Sequence, residues 1–449
     1  MSLINYELKP TEENLIKSIL TDMVGRNVAI ANFIKVLDAT EGNISIAIDD
    51  SWGNGKTFFV KQTQLILQSY NSSDDKLADV KNCMLKIFKN HTPKNYFPIY
   101  YDAWTNDNDT DPILSIIFTM LQDLACLQEY EVNDKNLWDS IKDGLEVIST
   151  TFGGPRIKNL LNSVEGKNIL EELKKNKEIY QVLNEMFDVV LEKNSADTRI
   201  VFFIDELDRC RPDFAVCLLE RIKHYFLNEK VVFVFSINAL ELHHTIQRHY
   251  GGNFNADKYL RRFFDFTIPL PAANMQKYHE SINFDDDIAR YSIAKIVMQK
   301  YHFSLREISR YLQYLKLAIP QKYETSFNAQ NFFYFDVLVP FLIGLKIHDL
   351  TQYNEFIHGR NFKDFIEVMQ LGRPDWYCTK FLTDVETFDK EKVKQGYKLI
   401  SLEEKIRPVY ECLFVEGSQR HLRIYTQEFS ANDKKKILET ISLMKSDKI

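Results

Sequence analysis

The chain has 449 residues, of which 45% are apolar and 27% charged, and its formal net charge is −7. That length points to two or three domains rather than one, with enough apolar material to build sizeable cores. The mild negative charge excludes a protein covered by a basic field, so nonspecific nucleic-acid binding is not expected from bulk charge.

The six cysteines, at 83, 126, 210, 217, 378 and 412, form no Cys-x-x-Cys pair. Reduced thiols in a cytoplasmic protein fit this pattern best, and the first residues lack a charged-then-apolar leader. Two apolar runs stand out. Residues 112–122 count eleven, and residues 337–345 count nine and include Pro340. A spanning helix needs about twenty apolar residues, so both runs read as buried helices and no membrane span is expected.

In chain order, residues 44–48 (Ile-Ser-Ile-Ala-Ile) alternate and predict a strand. A glycine turn follows, then a helix with Phe59, Val60, Thr63, Ile66 and Leu67 on one face. Residues 97–101 are a second strand candidate. From about 111 to 193 the pattern is helical, broken at Gly153-Gly154-Pro155. Residues 200–204 (Ile-Val-Phe-Phe-Ile) are continuously apolar, as a buried parallel strand should be. Pro212 opens a helix with Leu218, Leu219, Ile222, Tyr225 and Phe226 on one face. Residues 231–237 predict another buried strand and 264–270 a last one. Strands alternating with helices imply a parallel α/β sheet. Beyond about 275 the periodicity is helical almost throughout. The expected organisation is a core at 1–275 with a helical insertion at about 105–195, a helical lid at 276–320 and a C-terminal helical domain at 321–449.

The strongest chemical signal is Asp50-Ser51-Trp52-Gly53-Asn54-Gly55-Lys56-Thr57, set between a predicted strand and a predicted helix. Backbone N–H groups of a tight glycine turn form an anion nest, and a helix N-terminus adds partial positive charge. Lys56 can reach the β and γ phosphates and the Thr57 hydroxyl can ligate magnesium; Phe58 completes the segment expected to touch nucleotide. One position departs from the phosphate-loop pattern. Asp50 stands where glycine is expected, and although Asp tolerates a left-handed backbone, its charge lies near the phosphates.

The matching half is Ile-Val-Phe-Phe-Ile-Asp205-Glu206. The apolar strand carries Asp205 to the carboxyl edge of the sheet, where ligands bind in open α/β folds. Asp205 is expected to hold magnesium through water. Glu206 is expected to orient and polarise the attacking water. Lys56, Asp205 and Glu206 are thus the catalytic candidates, with ATP and magnesium as cofactors.

At these residues the chain resembles the KAP family of P-loop NTPases. Phe-Ile-Asp205-Glu206-Leu207-Asp208-Arg209-Cys210 is similar to that family's Walker B signature, with Glu206 in place of a second Asp. Trp52-Gly53-Asn54-Gly55-Lys56-Thr57, Asp102-Ala103-Trp104 and Tyr259-Leu260-Arg261-Arg262-Phe263-Phe264 before Pro269 and Pro271 resemble three further family motifs. The likeness covers roughly residues 20–350, more weakly after 275. It implies an additional-strand P-loop fold, ATP turnover and, from the bacterial branch, a role in excluding phage and mobile elements. Many family members carry transmembrane helices between the Walker motifs; that feature is not carried over.

Weaker signals remain open. Asn238, after the fourth strand, either contacts the γ-phosphate or caps the next helix. Arg306 and Arg310 share a face of a predicted lid helix over Leu305, Ile308, Leu312 and Leu315, and either reach nucleotide or pair with surface acids. Arg261 and Arg262 are candidate trans-acting arginines of a homo-oligomer, or else simply close a helix. His243, His244 and His249 do not line one helical face, so metal binding there is not expected. Lys434-Lys435-Lys436 reads as a solvated helix start rather than a nucleic-acid site. Two functions compete. One is an ATPase whose turnover drives a conformational cycle and the other a nucleotide-gated scaffold with little turnover. Glu206 favours the first and Asp50 the second. The helical regions are expected to engage a protein partner. No acceptor motif supports a small-molecule kinase.

Overall fold

The computed structural model describes residues 9–71, 74–89, 91–109, 111–127, 187, 198–282, 284, 289–319, 329–371, 402–418, 421–424 and 427–442. The chain divides into two compact units, one spanning Lys9–Tyr278 and the other His279–Ile449.

The first unit is built on five parallel strands: β1 (Ile44–Asp49), β2 (Tyr96–Asp102), β3 (Arg199–Asp205), β4 (Val231–Ile237) and β5 (Phe266–Pro269). Their spatial order is β2-β3-β4-β1-β5. All five strands expected from the sequence are present, and β4 lies between the two that carry the phosphate loop and the acidic pair. Pro98 and Pro269 fall in β2 and β5, the two edge strands, where a missing N–H interrupts no ladder on the open side.

Helices cover both faces. α1 (Glu12–Thr21), α2 (Asn27–Ala39), α3 (Lys56–Asn71) and α4 (Asp75–Phe88) pack with Ile46, Ile48, Val201, Phe203, Val232 and Val234. On the other face, α5 (Pro112–Leu127), α6 (Pro212–Tyr225) and α7 (Ala239–Tyr250) pack with Ile200, Phe202, Ile204, Phe233 and Phe235. The central strands are thus apolar almost throughout, because both of their sides are dry. Phe202 and Phe233 are register partners on β3 and β4. Their rings stack 5.1 Å apart at 11°, with Phe226 edge-on to Phe233 at 5.3 Å. The expected break at Gly153-Gly154-Pro155 and most of the helical insertion lie outside the described residues.

The second unit contains helices Ala289–Lys300, Leu305–Ala318, Val339–His348, Leu350–Ile357, Lys363–Gln370, Leu402–Phe414 and Asp433–Ser442. Ser304 and Glu307 form a capping box that starts Leu305–Ala318; Ile308, Leu312 and Leu315 are buried as expected, together with Tyr311. Two features differ from the sequence expectation. His421–Ile424 and Gln427–Ser430 pair as an antiparallel hairpin inside the helical region, its four-residue strands being too short to give a periodicity signal. The apolar run at 337–345 also belongs to a longer helical stretch, Gln330–His348, of 19 residues. Asp336 does not end it, because Arg290 Nε meets its Oδ1 at 2.8 Å. A π turn over Phe333–Leu338 precedes Pro340, whose missing donor would otherwise break the ladder. By length and composition this stretch could cross a membrane, yet 72% of its most apolar window is buried inside the protein. At Gly344 an added Cβ would stand 2.2 Å from Val297 Cγ1, so glycine is what lets these two helices touch.

Candidate functional site

The loop between β1 and α3 turns on two left-handed glycines, Gly53 at φ 91° and Gly55 at φ 90°. Asp50 is not left-handed, so the position that departs from the pattern does not need glycine's backbone freedom. Its carboxylate instead braces the loop from within. Asp50 Oδ1 accepts from the Ser51 N–H at 2.7 Å, the Ser51 hydroxyl at 3.3 Å and Asn54 Nδ2 at 2.8 Å. Beneath the loop lies Arg26, 4% exposed. Its Nη1 donates to the Asn54 carbonyl at 2.9 Å and its Nε to the Pro271 carbonyl at 2.7 Å. Burial pulls this guanidinium down to about 10, against the attraction of Asp50. The negative charge introduced at Asp50 is therefore faced by a buried positive one.

Lys56 is buried at the first turn of α3. Its ammonium donates to the carbonyls of Asp50 at 2.5 Å and Ser51 at 3.0 Å. Burial lowers its pKa, while Asp208, Asp50, Asp205 and Asp49, in that order, pull it back up. Thr57 is half-buried beside it, and the Phe58 ring packs against the core under α3.

Asp205 ends β3 on the α3 face of the sheet and is 1% exposed. Tyr100, one strand over on β2, donates its hydroxyl to Asp205 Oδ2 at 2.9 Å; the Glu206 N–H donates to Oδ1 at 2.9 Å. The phenol stays protonated, because burial and then Asp205 itself hold its pKa far above the usual value. Lys61 Nζ sits 4.2 Å from the Tyr100 ring centre. Glu206 follows in a left-handed conformation, φ 60° and ψ 25°, and opens the short 3-10 turn Leu207–Arg209. Burial raises its carboxyl pKa, Arg209 lowers it, and Asp205, Asp102 and Asp208 raise it further.

The Leu-Asp-Arg-Cys tail reaches back to the phosphate loop. Asp208 Oδ2 accepts from Trp52 Nε1 at 2.5 Å and the carboxylate also takes the Asn238 N–H. Loop and acidic strand end thus meet at one place, joined by contacts 156 residues apart in sequence.

Sequence comparison agrees with this geometry. The KAP family P-loop domain matches residues 26–319. The chain belongs to that family. No curated relative matches the chain. The matched stretch of this KAP protein begins at Arg26 and ends just past the helix Leu305–Ala318.

The remaining candidates of the KAP chain fall in different places. Asn238 caps α7, its side chain accepting from the Glu241 N–H at 3.4 Å, at the same sheet edge as the loop. Arg261 and Arg262 are exposed after the short helix α8 (Ala256–Leu260), just before β5. Asp265 exchanges hydrogen bonds with the Ser45 backbone at 2.8 Å, which fixes this segment at the amino edge of the sheet. The phosphate loop of the same chain lies about five residues of strand away, roughly 16 Å, beyond an arginine's reach. Arg306 is exposed on its helix in the second unit.

Sequence reasoning missed Tyr100, Arg26 and the contacts that Asp208 and Arg209 make. The Leu-Asp-Arg-Cys tail was a signal for the last two. Tyr100 and Arg26 sit in stretches that read as ordinary strand and helix start.

Proposed function

We propose that this KAP protein is a magnesium-dependent ATPase that couples nucleotide binding and hydrolysis to assembly or conformational change. The observation that carries the reading is the meeting of Lys56, the glycine loop and the Asp205-Glu206 pair at the carboxyl edge of one sheet. In this reading the loop N–H groups and Lys56 bind the phosphates. Glu206 takes the proton of the attacking water. Thr57 and Asp205 offer hard oxygen donors, the set magnesium prefers, and the Asp205 carboxylate is held by hydrogen bonds from Tyr100 and the Glu206 N–H. When bound, magnesium neutralises charge on the transferring phosphoryl group.

Arg261 and Arg262 fit a trans-acting role in a homo-oligomer, since they are exposed on the edge opposite their own loop. Mixing the Arg261→Ala/Arg262→Ala double variant with Glu206→Gln tests this. Partial recovery of turnover supports shared sites, and none refutes them. Partner binding through the helical regions, a cytoplasmic location, read from the scattered cysteines, and a part in antiviral defence, read from the family resemblance, belong to the same proposal.

The decisive experiment is steady-state ATP turnover by purified protein, with and without magnesium, beside Glu206→Gln. Turnover that needs magnesium and is lost in Glu206→Gln supports the ATPase. ATP binding without turnover in either protein favours the second reading, a nucleotide-gated scaffold. That reading draws on the ion pair that engages Glu206 with Arg209 at 2.9 Å.

A further inference from the structure

Glu206 carries the chemistry proposed above, and its backbone and side chain are held by different contacts. It sits left-handed, a conformation that non-glycine residues adopt only when their surroundings insist. The backbone is tied by Arg209, whose N–H reaches the Glu206 carbonyl at 3.1 Å, and by Cys210 Sγ at 3.6 Å to the same oxygen. The side chain is tied separately. Arg209 Nη1 stands 2.9 Å from Glu206 Oε2, with the two side chains 25% and 16% exposed.

The position of Arg209 is set by two tryptophans. Its guanidinium carbon lies 5.9 Å from the Trp52 ring centre and 5.5 Å from that of Trp104. Trp52 belongs to the phosphate loop, and Trp104 follows β2. Both are unusually open to solvent for their size, 45% and 51% exposed. Trp52 does not lie loosely there, because its indole N–H is anchored on Asp208, the residue before Arg209. Arginine suits this place. Its planar, always-charged group can present a face to aromatic rings while its edge donates to a carboxylate, which a lysine cannot do.

We propose that Arg209 is a positioning residue for Glu206. Its guanidinium, bracketed by Trp52 and Trp104, grips the carboxylate and makes the direction of that carboxylate depend on the conformation of the phosphate loop. The inference rests on the ATPase reading and names the part that links loop occupancy to the placement of the base. Nucleotide that reshapes the loop moves Trp52. Trp52 carries Arg209 with it, and Arg209 re-aims Glu206. The exposed tryptophans then serve as the sensing surface of the site.

The test compares wild type, Arg209→Ala, Arg209→Lys and Trp52→Phe, each checked for folding by circular dichroism. ATP affinity is measured by calorimetry, turnover at saturating ATP, and tryptophan emission before and after ATP with magnesium. A misplaced catalytic group costs about 100-fold in rate. Arg209→Ala is therefore expected to lose about 100-fold in kcat while its ATP affinity stays within about threefold. Arg209→Lys keeps the charge without the fork and is expected to stay at least tenfold below wild type. ATP should change the emission of wild type, and that change should shrink by half or more in both Arg209→Ala and Trp52→Phe. Arg209→Ala with kcat within threefold of wild type overturns the proposal while leaving the ATPase reading intact. A loss in ATP affinity as large as the loss in kcat also overturns it, since Arg209 would then be a nucleotide contact. A wild type without turnover refutes the ATPase reading itself, and the proposal falls with it.

Discussion

Replacing Tyr100 by Phe removes one oxygen atom and leaves the ring. That oxygen donates to Asp205 Oδ2 at 2.9 Å, and Asp205 is 1% exposed. A hydrogen bond to a charged acceptor contributes about 1.5–3 kcal/mol, and removing the donor leaves a buried carboxylate oxygen short of a partner. The first unit should lose stability of that order. The functional effect should be larger than the stability loss suggests, because Asp205 is the proposed magnesium-side carboxylate and the phenol fixes its orientation. Second partners of metal-binding carboxylates typically change metal affinity by about 10–100-fold. Tyr100→Phe is therefore expected to shift the magnesium concentration for half-maximal ATP turnover upward by that factor. ATP binding measured in excess chelator should be unchanged, because the loop and Lys56 are untouched. A magnesium titration of turnover, run beside a chelator-based binding assay, separates the two. Superimposable magnesium curves for variant and wild type would overturn this expectation.

Three further outcomes are expected. Lys56→Ala should weaken ATP binding at least tenfold, a loss of about 1.4 kcal/mol or more, read by calorimetry. Phe233→Ala removes the ring that stacks on Phe202 and meets Phe226 edge-on, and chemical denaturation should show a loss of about 3–5 kcal/mol. Gly25 is left-handed at φ 69° and its Cβ would meet Asn274 Cβ at 2.6 Å; Gly25→Ala should cost at least about 1–2 kcal/mol from the backbone alone, measured the same way.

The two central strands β3 and β4 were legible because a parallel strand between two helical layers must be apolar on both sides, and Ile200–Ile204 and Val231–Ile237 satisfy this at every position but Ser236. The phosphate loop and the Asp205-Glu206 pair were legible because their chemistry depends on residue type at fixed spacing. What stayed hidden is what joins distant segments. Arg26 meets Asn54 and Pro271 across 28 and 245 residues, and Tyr100 meets Asp205 across 105. Composition gives no hint of such pairings, since an arginine at a helix start and a tyrosine in a strand are ordinary. Asp50 is hard to read for a related reason. Its charge is visible in the sequence, but the three donors it organises and the guanidinium beneath it are not. The hairpin at His421–Ser430 escaped because Leu422 and Phe429 meet across only four residues per strand.

The storage of Lys56 has a consequence of its own. Its ammonium rests on the carbonyls of Asp50 and Ser51, two neutral acceptors, although Asp205 stands at the end of β3 and Asp208 just beyond it. The intervening strand β4 keeps the ends of β1 and β3 two strand spacings apart, roughly 10 Å. A lysine tied to a carboxylate would have to break an ion pair before greeting a polyphosphate, whereas one parked on peptide oxygens gives up only weak, replaceable bonds. Asp208, Asp50 and Asp205 still attract the ammonium through space, but its contacts are with peptide oxygens, and those are what an anion entering the loop has to replace.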